Sequence, residues 1–139
     1  MKRKVAVLVL VVGAVCTIRA QQKTTWDAVF TADQAKRGQT LFSDTCAACH
    51  GDDLSGGLGP PLAGAEFGSH WDDTDLAQLY DFISQTMPQS NPGSLKPAEV
   101  ADLMAFLVSK TTAPAGDAPL PIDTAALKTI KFFSKKPGA

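Results

Sequence analysis

The sequence predicts an all-α fold in which three main helices and a set of ordered loops share one core. Apolar or small residues recur at helical spacing in three separate stretches, Ala35 to Cys46, Leu76 to Ile83 and Val100 to Leu107. Between and after them, residues 51–68, 86–95 and 111–121 are rich in Gly, Pro and small side chains that interrupt regular structure. At 139 residues the chain has room for one domain, and neither an internal repeat nor a second domain is visible.

Residues 1–20 differ in kind from the rest. Lys2, Arg3 and Lys4 precede an apolar run from Val5 to Leu10 that continues through Val15 and ends at Ala20. A basic start, a short apolar stretch and a small final residue describe a signal peptide, with cleavage expected after Ala20. The run is about half the length that spans a bilayer as a helix, which disfavours a stable anchor. An uncleaved N-terminal membrane tether is the alternative. Cys16 lies inside the segment and is expected to leave with it, so the mature chain is read as exported and periplasmic, carrying only Cys46 and Cys49.

Each mature element has a local reason. Residues 21–30 form a polar lead-in. The first helix starts at Thr31, three residues before Gln34 in capping-box spacing, and its face of Ala35, Gly38, Leu41, Phe42 and Cys46 leads straight into the Cys46 motif. Residues 51–68 hold Gly56, Gly57, Gly59, Pro60, Pro61 and Gly64, and read as an ordered loop without regular structure. A second helix over 74–85 carries Leu76, Leu79, Tyr80 and Ile83 on one face, with Asp72, Asp73 and Asp75 favouring its positive N-terminal end. After a loop containing Pro88 and Pro92, a third helix opens with Pro97 at its first position and runs to Ser109, burying Val100, Leu103, Met104 and Leu107 with Phe106 beside them. The domain is read as 31–110. Residues 111–139 follow as a Pro/Ala-rich linker or strap, a short helix or strand over 124–133, and a basic tail.

Charge narrows the function classes. The chain has 13 basic and 14 acidic residues; residues 1–20 hold four of the basic and none of the acidic ones, leaving nine against fourteen and a net charge of −5 in the mature chain. That balance argues against nucleic-acid binding. From Gly38 to Leu95 there are eight acidic residues and no Lys or Arg, so partners steered by charge should present a basic or neutral face. The bland alternative is a solvated set of carboxylates and helix caps. Lys128, Lys131, Lys135 and Lys136 gather in the tail, where they can solubilise the chain end, touch the acidic body, or meet an anionic membrane surface.

The chemistry lies in Cys46-Ala47-Ala48-Cys49-His50, the attachment signature for c-type haem. Two thiols separated by two residues can add to the two vinyl groups on one edge of the porphyrin, and the adjacent histidine then supplies an iron ligand. A zinc site would need two more ligands, yet the mature chain offers only His70 as a further histidine and no further cysteine. A dithiol redox pair would be expected between a strand and a helix, whereas this pair ends a predicted helix. The other ring nitrogen of His50 is expected to donate to the carbonyl of Pro60 or Pro61. For the opposite iron ligand the candidates are Met87, Met104 and His70. Met104 falls on a core stripe, where methionine is usually filler. Met87 precedes Pro88 in a loop between helices, and it is the assignment. Trp71 and Tyr80 are candidates for hydrogen bonds to haem propionates or for plain packing.

With these residues in hand, the chain resembles class I c-type cytochromes from about Thr31 to Ser109. The resemblance rests on Cys46 to His50, the Gly59-Pro60 loop, the Met87-Pro88 pair, and Gly38 and Phe42 facing Leu103 and Phe106. It implies a compact helical fold around one covalent haem c and its iron, with Gly38 as the small residue where the first and last helices cross. The run from Cys46 through Leu62 and Trp71, then Leu79-Tyr80-Asp81-Phe82-Ile83 and Thr86-Met87-Pro88, is similar to the cytochrome domains associated with quinoprotein alcohol dehydrogenases. Lys96 departs from the usual cap chemistry before Pro97. The resemblance implies a monohaem electron carrier with His50 and Met87 on the iron. It would take electrons from an exported dehydrogenase, with a quinoprotein as one donor, and pass them to an oxidase or another cytochrome. The alternatives are a fixed haem subunit of a larger oxidoreductase, and a ligand-binding or peroxidase-like protein with a labile sixth ligand.

Overall fold

The computed structural model describes residues 22–138, and the predicted signal peptide lies outside them. Six helices appear in chain order among these residues: α1 (Ala32–Thr45), α2 (Ala47–His50), α3 (Gly64–Trp71), α4 (Leu76–Thr86), α5 (Pro97–Ser109) and α6 (Thr124–Leu127). Two short strands, β1 (Lys23–Thr24) and β2 (Ile130–Lys131), pair in parallel.

α1 begins as its sequence dictates. The Thr31 hydroxyl accepts from the Gln34 amide, and the Gln34 side chain accepts from the Thr31 amide, which satisfies two N–H groups that the helix start would otherwise orphan. α5 starts at Pro97 behind Lys96, whose side chain has no acceptor to offer. Only the Glu99 half of a capping box forms there, with Glu99 Oε2 accepting from the Lys96 amide at 2.7 Å.

These two helices cross at Gly38. A Cβ placed there would stand 2.5 Å from the Asp102 carbonyl carbon and 2.9 Å from Phe106 Cβ, so only a hydrogen side chain lets the backbones meet. Phe42 and Phe106 pack one turn further along, with ring centroids 5.2 Å apart. Arg37 forks onto Asp102 beside the crossing, both N–H···O distances being 2.7 Å. α5 proves to be buried on more than the expected stripe, since Ala101, Ala105 and Val108 join Val100, Leu103, Met104, Phe106 and Leu107. It is the central helix of the domain, and a broadly apolar surface, interrupted by Asp102, suits that position.

α3 corrects the expectation of an irregular loop over 51–68. The helix starts at Gly64, where φ is +77°. Phe67 and Trp71, four apart, provide its inward face, with Phe67 set edge-on to Phe132 at 5.6 Å. α4 follows after Asp75, whose carboxylate accepts from the Gln78 amide as N-cap.

The segments on either side of the helical body pack against it. Of the two readings of 111–121, it is a strap: Gly116 N donates to Phe30 O at 2.7 Å, and Gln34 exchanges hydrogen bonds with both backbone groups of Leu120. Both the short helix and the short strand considered for 124–133 occur. Thr25, Leu127 and Phe132 are fully buried, and each large apolar side chain so enclosed contributes about 1.5–3 kcal/mol.

Candidate haem site

The Cys46 motif sits where α1 gives way to α2. Cys46 ends one helix and begins the other with φ −116° and ψ −32°, and its carbonyl accepts from the amides of Cys49 and His50 at 3.1 and 3.0 Å. Gly51 stops α2 with φ +79°, a backbone that favours glycine. Within this single turn Cys46 is half-buried, Cys49 is exposed, and His50 is 8% exposed. The two thiols are free, not joined as a disulfide.

Loop 51–62 folds back onto the motif. Gly56 N donates to His50 O at 2.9 Å, and Gly59 N to Cys49 O at 2.8 Å. A Cβ at Gly59 would fall 2.8 Å from the His50 ring, so the loop backbone lies flush on the imidazole. Pro60 O lies 2.8 Å from His50 Nδ1; a carbonyl can only accept, so Nδ1 carries the proton and donates. In the neutral ring that proton on Nδ1 leaves the lone pair on Nε2, the tautomer a metal-binding histidine needs.

The remaining candidates separate by burial. Met104 is fully buried within α5 and behaves as core. Met87 caps the C-terminus of α4, its amide donating to Ile83 O at 3.0 Å, and its side chain packs half-exposed on the core edge. His70 is exposed at the end of α3, its ring 4.9 Å from that of Trp71. Trp71 is half-buried between Phe67 and Phe82, and Tyr80 is buried.

These residues fit a haem and fit its rivals poorly. Cys46, Leu62, Trp71, Met87 and Leu95 are among the apolar side chains that pack against the core yet stay partly exposed, as residues covered by a large apolar cofactor would. Burial pushes the Cys46 thiol up, and the neighbouring Cys49 adds to the effect, opposite to the lowered thiol of an active dithiol redox pair. Among the described residues no group of three or more His, Cys, Asp and Glu converges to hold a bare metal ion.

An all-α fold with this motif defines a class: the chain is a c-type cytochrome, a protein that binds an iron-containing haem c covalently. It belongs to the family described as cytochrome c oxidase, cbb3-type, subunit III, whose model matches residues 33–107. Over 76 residues it is 36% identical to a cytochrome c-553-like protein from Synechocystis sp., a match covering 52% of this chain and 66% of that protein. Among solved structures, the sulfane dehydrogenase SoxCD from Paracoccus pantotrophus is similar with a TM-score of 0.53 and 27% identity, over 66% of this chain and 55% of that one. The chain therefore spans no more than 66% of the length of either relative.

Sequence reasoning missed two features of the site's surroundings, α3 and the seating of residues 131–134 on it. The Phe67/Trp71 spacing was the available signal for α3. No local signal announces contacts that join residues more than sixty apart.

Proposed function

We propose that this protein is an exported, periplasmic monohaem cytochrome that carries single electrons with His50 and Met87 as the axial iron ligands. The observation that carries the reading is His50 itself: a buried imidazole, one residue from Cys49, with Nδ1 committed to Pro60 O and Nε2 left free. When bound, the haem supplies a one-electron ferrous/ferric couple. The protein's residues do the rest. Cys46 and Cys49 would hold the porphyrin by thioethers, Pro60 fixes the imidazole plane, and the Met87 sulfur as a ligand would favour a higher reduction potential.

The donor in this reading is an exported dehydrogenase, a quinoprotein being the type suggested by the resemblance, and the acceptor is an oxidase or another cytochrome. Charge supports a basic or neutral partner face. Of the eight carboxylates between Gly38 and Leu95, Asp72, Asp73 and Asp75 serve the fold through Ser134, Lys131 and the α4 cap. Asp44, Asp52, Glu66 and Asp81 are exposed and form no ion pair among the described residues, so they remain available to steer. Leu58, 91% exposed on the loop tied to Cys49, adds an apolar contact beside the attachment site.

A fixed subunit of a larger oxidoreductase is the second reading, supported by the subunit description of the family and by the dehydrogenase among its structural relatives. Spectroelectrochemical titration of the exported protein tests the carrier function. A reversible one-electron wave, with no carbon monoxide bound by the reduced form, supports it. Rapid carbon monoxide binding would move the ligand-binding reading to the front. Co-purification with a large redox partner would favour the subunit.

A further inference from the structure

The family match ends at residue 107, yet residues 131–134 grip the corner where α3 turns into α4. Asp73, at the apex of that corner, has φ +62°, a left-handed backbone that a non-glycine residue keeps only where its surroundings hold it there. Both of its backbone groups are held from the C-terminal segment. Asp73 N donates to Phe132 O at 2.9 Å, and Lys131 Nζ donates to Asp73 O at 2.7 Å. On either side, Ser134 donates to both carboxylate oxygens of Asp72, through its amide at 2.6 Å and its hydroxyl at 2.9 Å, while Phe132 N donates to Thr74 O at 2.9 Å.

Packing reinforces the grip. Phe132 is fully buried and meets Phe67 edge-on at 5.6 Å. Gly68 on α3 has no room for a Cβ because Ser134 Cβ would stand 2.9 Å from it. The segment is itself anchored, since Thr25 N donates to Lys131 O at 2.8 Å and Trp26 Nε1 to Phe133 O at 3.0 Å.

The corner is one end of a lever. α4 runs 11 residues from it and ends at its C-cap, Met87. A helix of that length spans about 17 Å, so a tilt of about 5° at the corner moves the far end by about 1.5 Å. A second link runs through the aromatic side chains, from Phe132 to Phe67, Trp71 and Phe82, the last being on α4 five residues before Met87.

We propose that residues 131–134 act as a positioning clamp on the α3–α4 corner, setting where α4 delivers Met87 and hence how firmly that side chain is held as sixth ligand. The proposal rests on the Met87 ligand reading given above. Phe132, Ser134 and Lys131 are positioning residues: they touch the corner and not the iron.

Exogenous imidazole tests the clamp in the haem-loaded protein, because its apparent affinity rises with the fraction of molecules in which Met87 is detached. Phe132→Ala should tighten imidazole binding by about ten-fold and lower the reduction potential, and the milder Ser134→Ala should shift affinity in the same direction by about two- to three-fold. Leu120→Ala is the control, since Leu120 is equally buried but tied to Gln34 on α1. It should lose comparable stability with no change in imidazole affinity. An unchanged affinity in both Phe132→Ala and Ser134→Ala, or an equal shift in Leu120→Ala, overturns the clamp. If Phe132→Ala does not fold, Ser134→Ala against Leu120→Ala decides. Failure of the ligand reading is told apart in the unmutated protein: a sulfur-to-iron charge-transfer band that is missing, or that survives Met87→Ala, refutes the ligand and with it the clamp.

Discussion

Gly38→Ala sets two opposed effects against each other at one atom. In an isolated helix, alanine is favoured over glycine by about 1 kcal/mol, so α1 considered alone should gain. In the folded protein the added methyl would stand 2.5 Å from the Asp102 carbonyl carbon and 2.9 Å from Phe106 Cβ. Carbon atoms pack at about 3.5–4.0 Å, so α1 and α5 must part by roughly 1 Å. Overpacking costs about 1–3 kcal/mol, and the upper end applies because the blocking atoms are backbone that cannot rotate aside. The separation also loosens the Phe42–Phe106 contact. The net expectation is a loss of about 2 kcal/mol, a large share of the roughly 5–15 kcal/mol that holds a domain together. Guanidinium titration of the haem-loaded protein, followed by far-ultraviolet circular dichroism, should show a lower midpoint at unchanged slope, and Tm should fall by about 8 °C. A variant more stable than the parent by about 1 kcal/mol would show that helix propensity wins, and that the crossing is not packed as described.

Other outcomes follow from the same packing and hydrogen bonds. Gln34→Ala strips the partners from the buried backbone of Leu120 and should cost about 2–3 kcal/mol, read from the same titration. Arg37→Ala should destabilise through the lost fork to Asp102 in a urea titration at low ionic strength, with the difference from the parent shrinking when about 1 M salt is added. Asp53 has its carboxyl held below the ordinary range by the Ser55 hydroxyl and amide. A depressed folded pKa contributes stability above the unfolded value and loses it as pH falls through the folded one, so Asp53→Asn should flatten the acid limb of the stability profile. Met104→Leu conserves volume in the core and should cost less than about 1.5 kcal/mol, leaving the haem spectrum unchanged.

The legible parts of this protein were those whose causes are local. Thr31 and Gln34 predict the start of α1, Pro97 the start of α5, and the helical spacing of Leu76, Leu79, Tyr80 and Ile83 predicts α4, because caps and faces are set within a few residues. The His50–Pro60 hydrogen bond was legible for a related reason: ten residues separate the partners, and the loop between them folds back onto the motif. α3 was hidden by Gly64 and Gly68, which read as loop composition, although Gly64 merely starts the helix and Gly68 makes room for Ser134. From sequence, Asp72 and Asp73 are dipole partners for α4. Their roles instead depend on Ser134, Lys131 and Phe132, about sixty residues away, and no periodicity or spacing reports a contact at that distance.

The ligand assignment at Met87 is tested most directly by the near-infrared absorption of the oxidised, exported protein, where a thioether bound to ferric haem gives a weak charge-transfer band. The account predicts that the parent shows the band, that Met87→Ala abolishes it, and that Met104→Leu retains it. A high-spin parent spectrum without the band, or a band that persists in Met87→Ala, would contradict the His50/Met87 carrier.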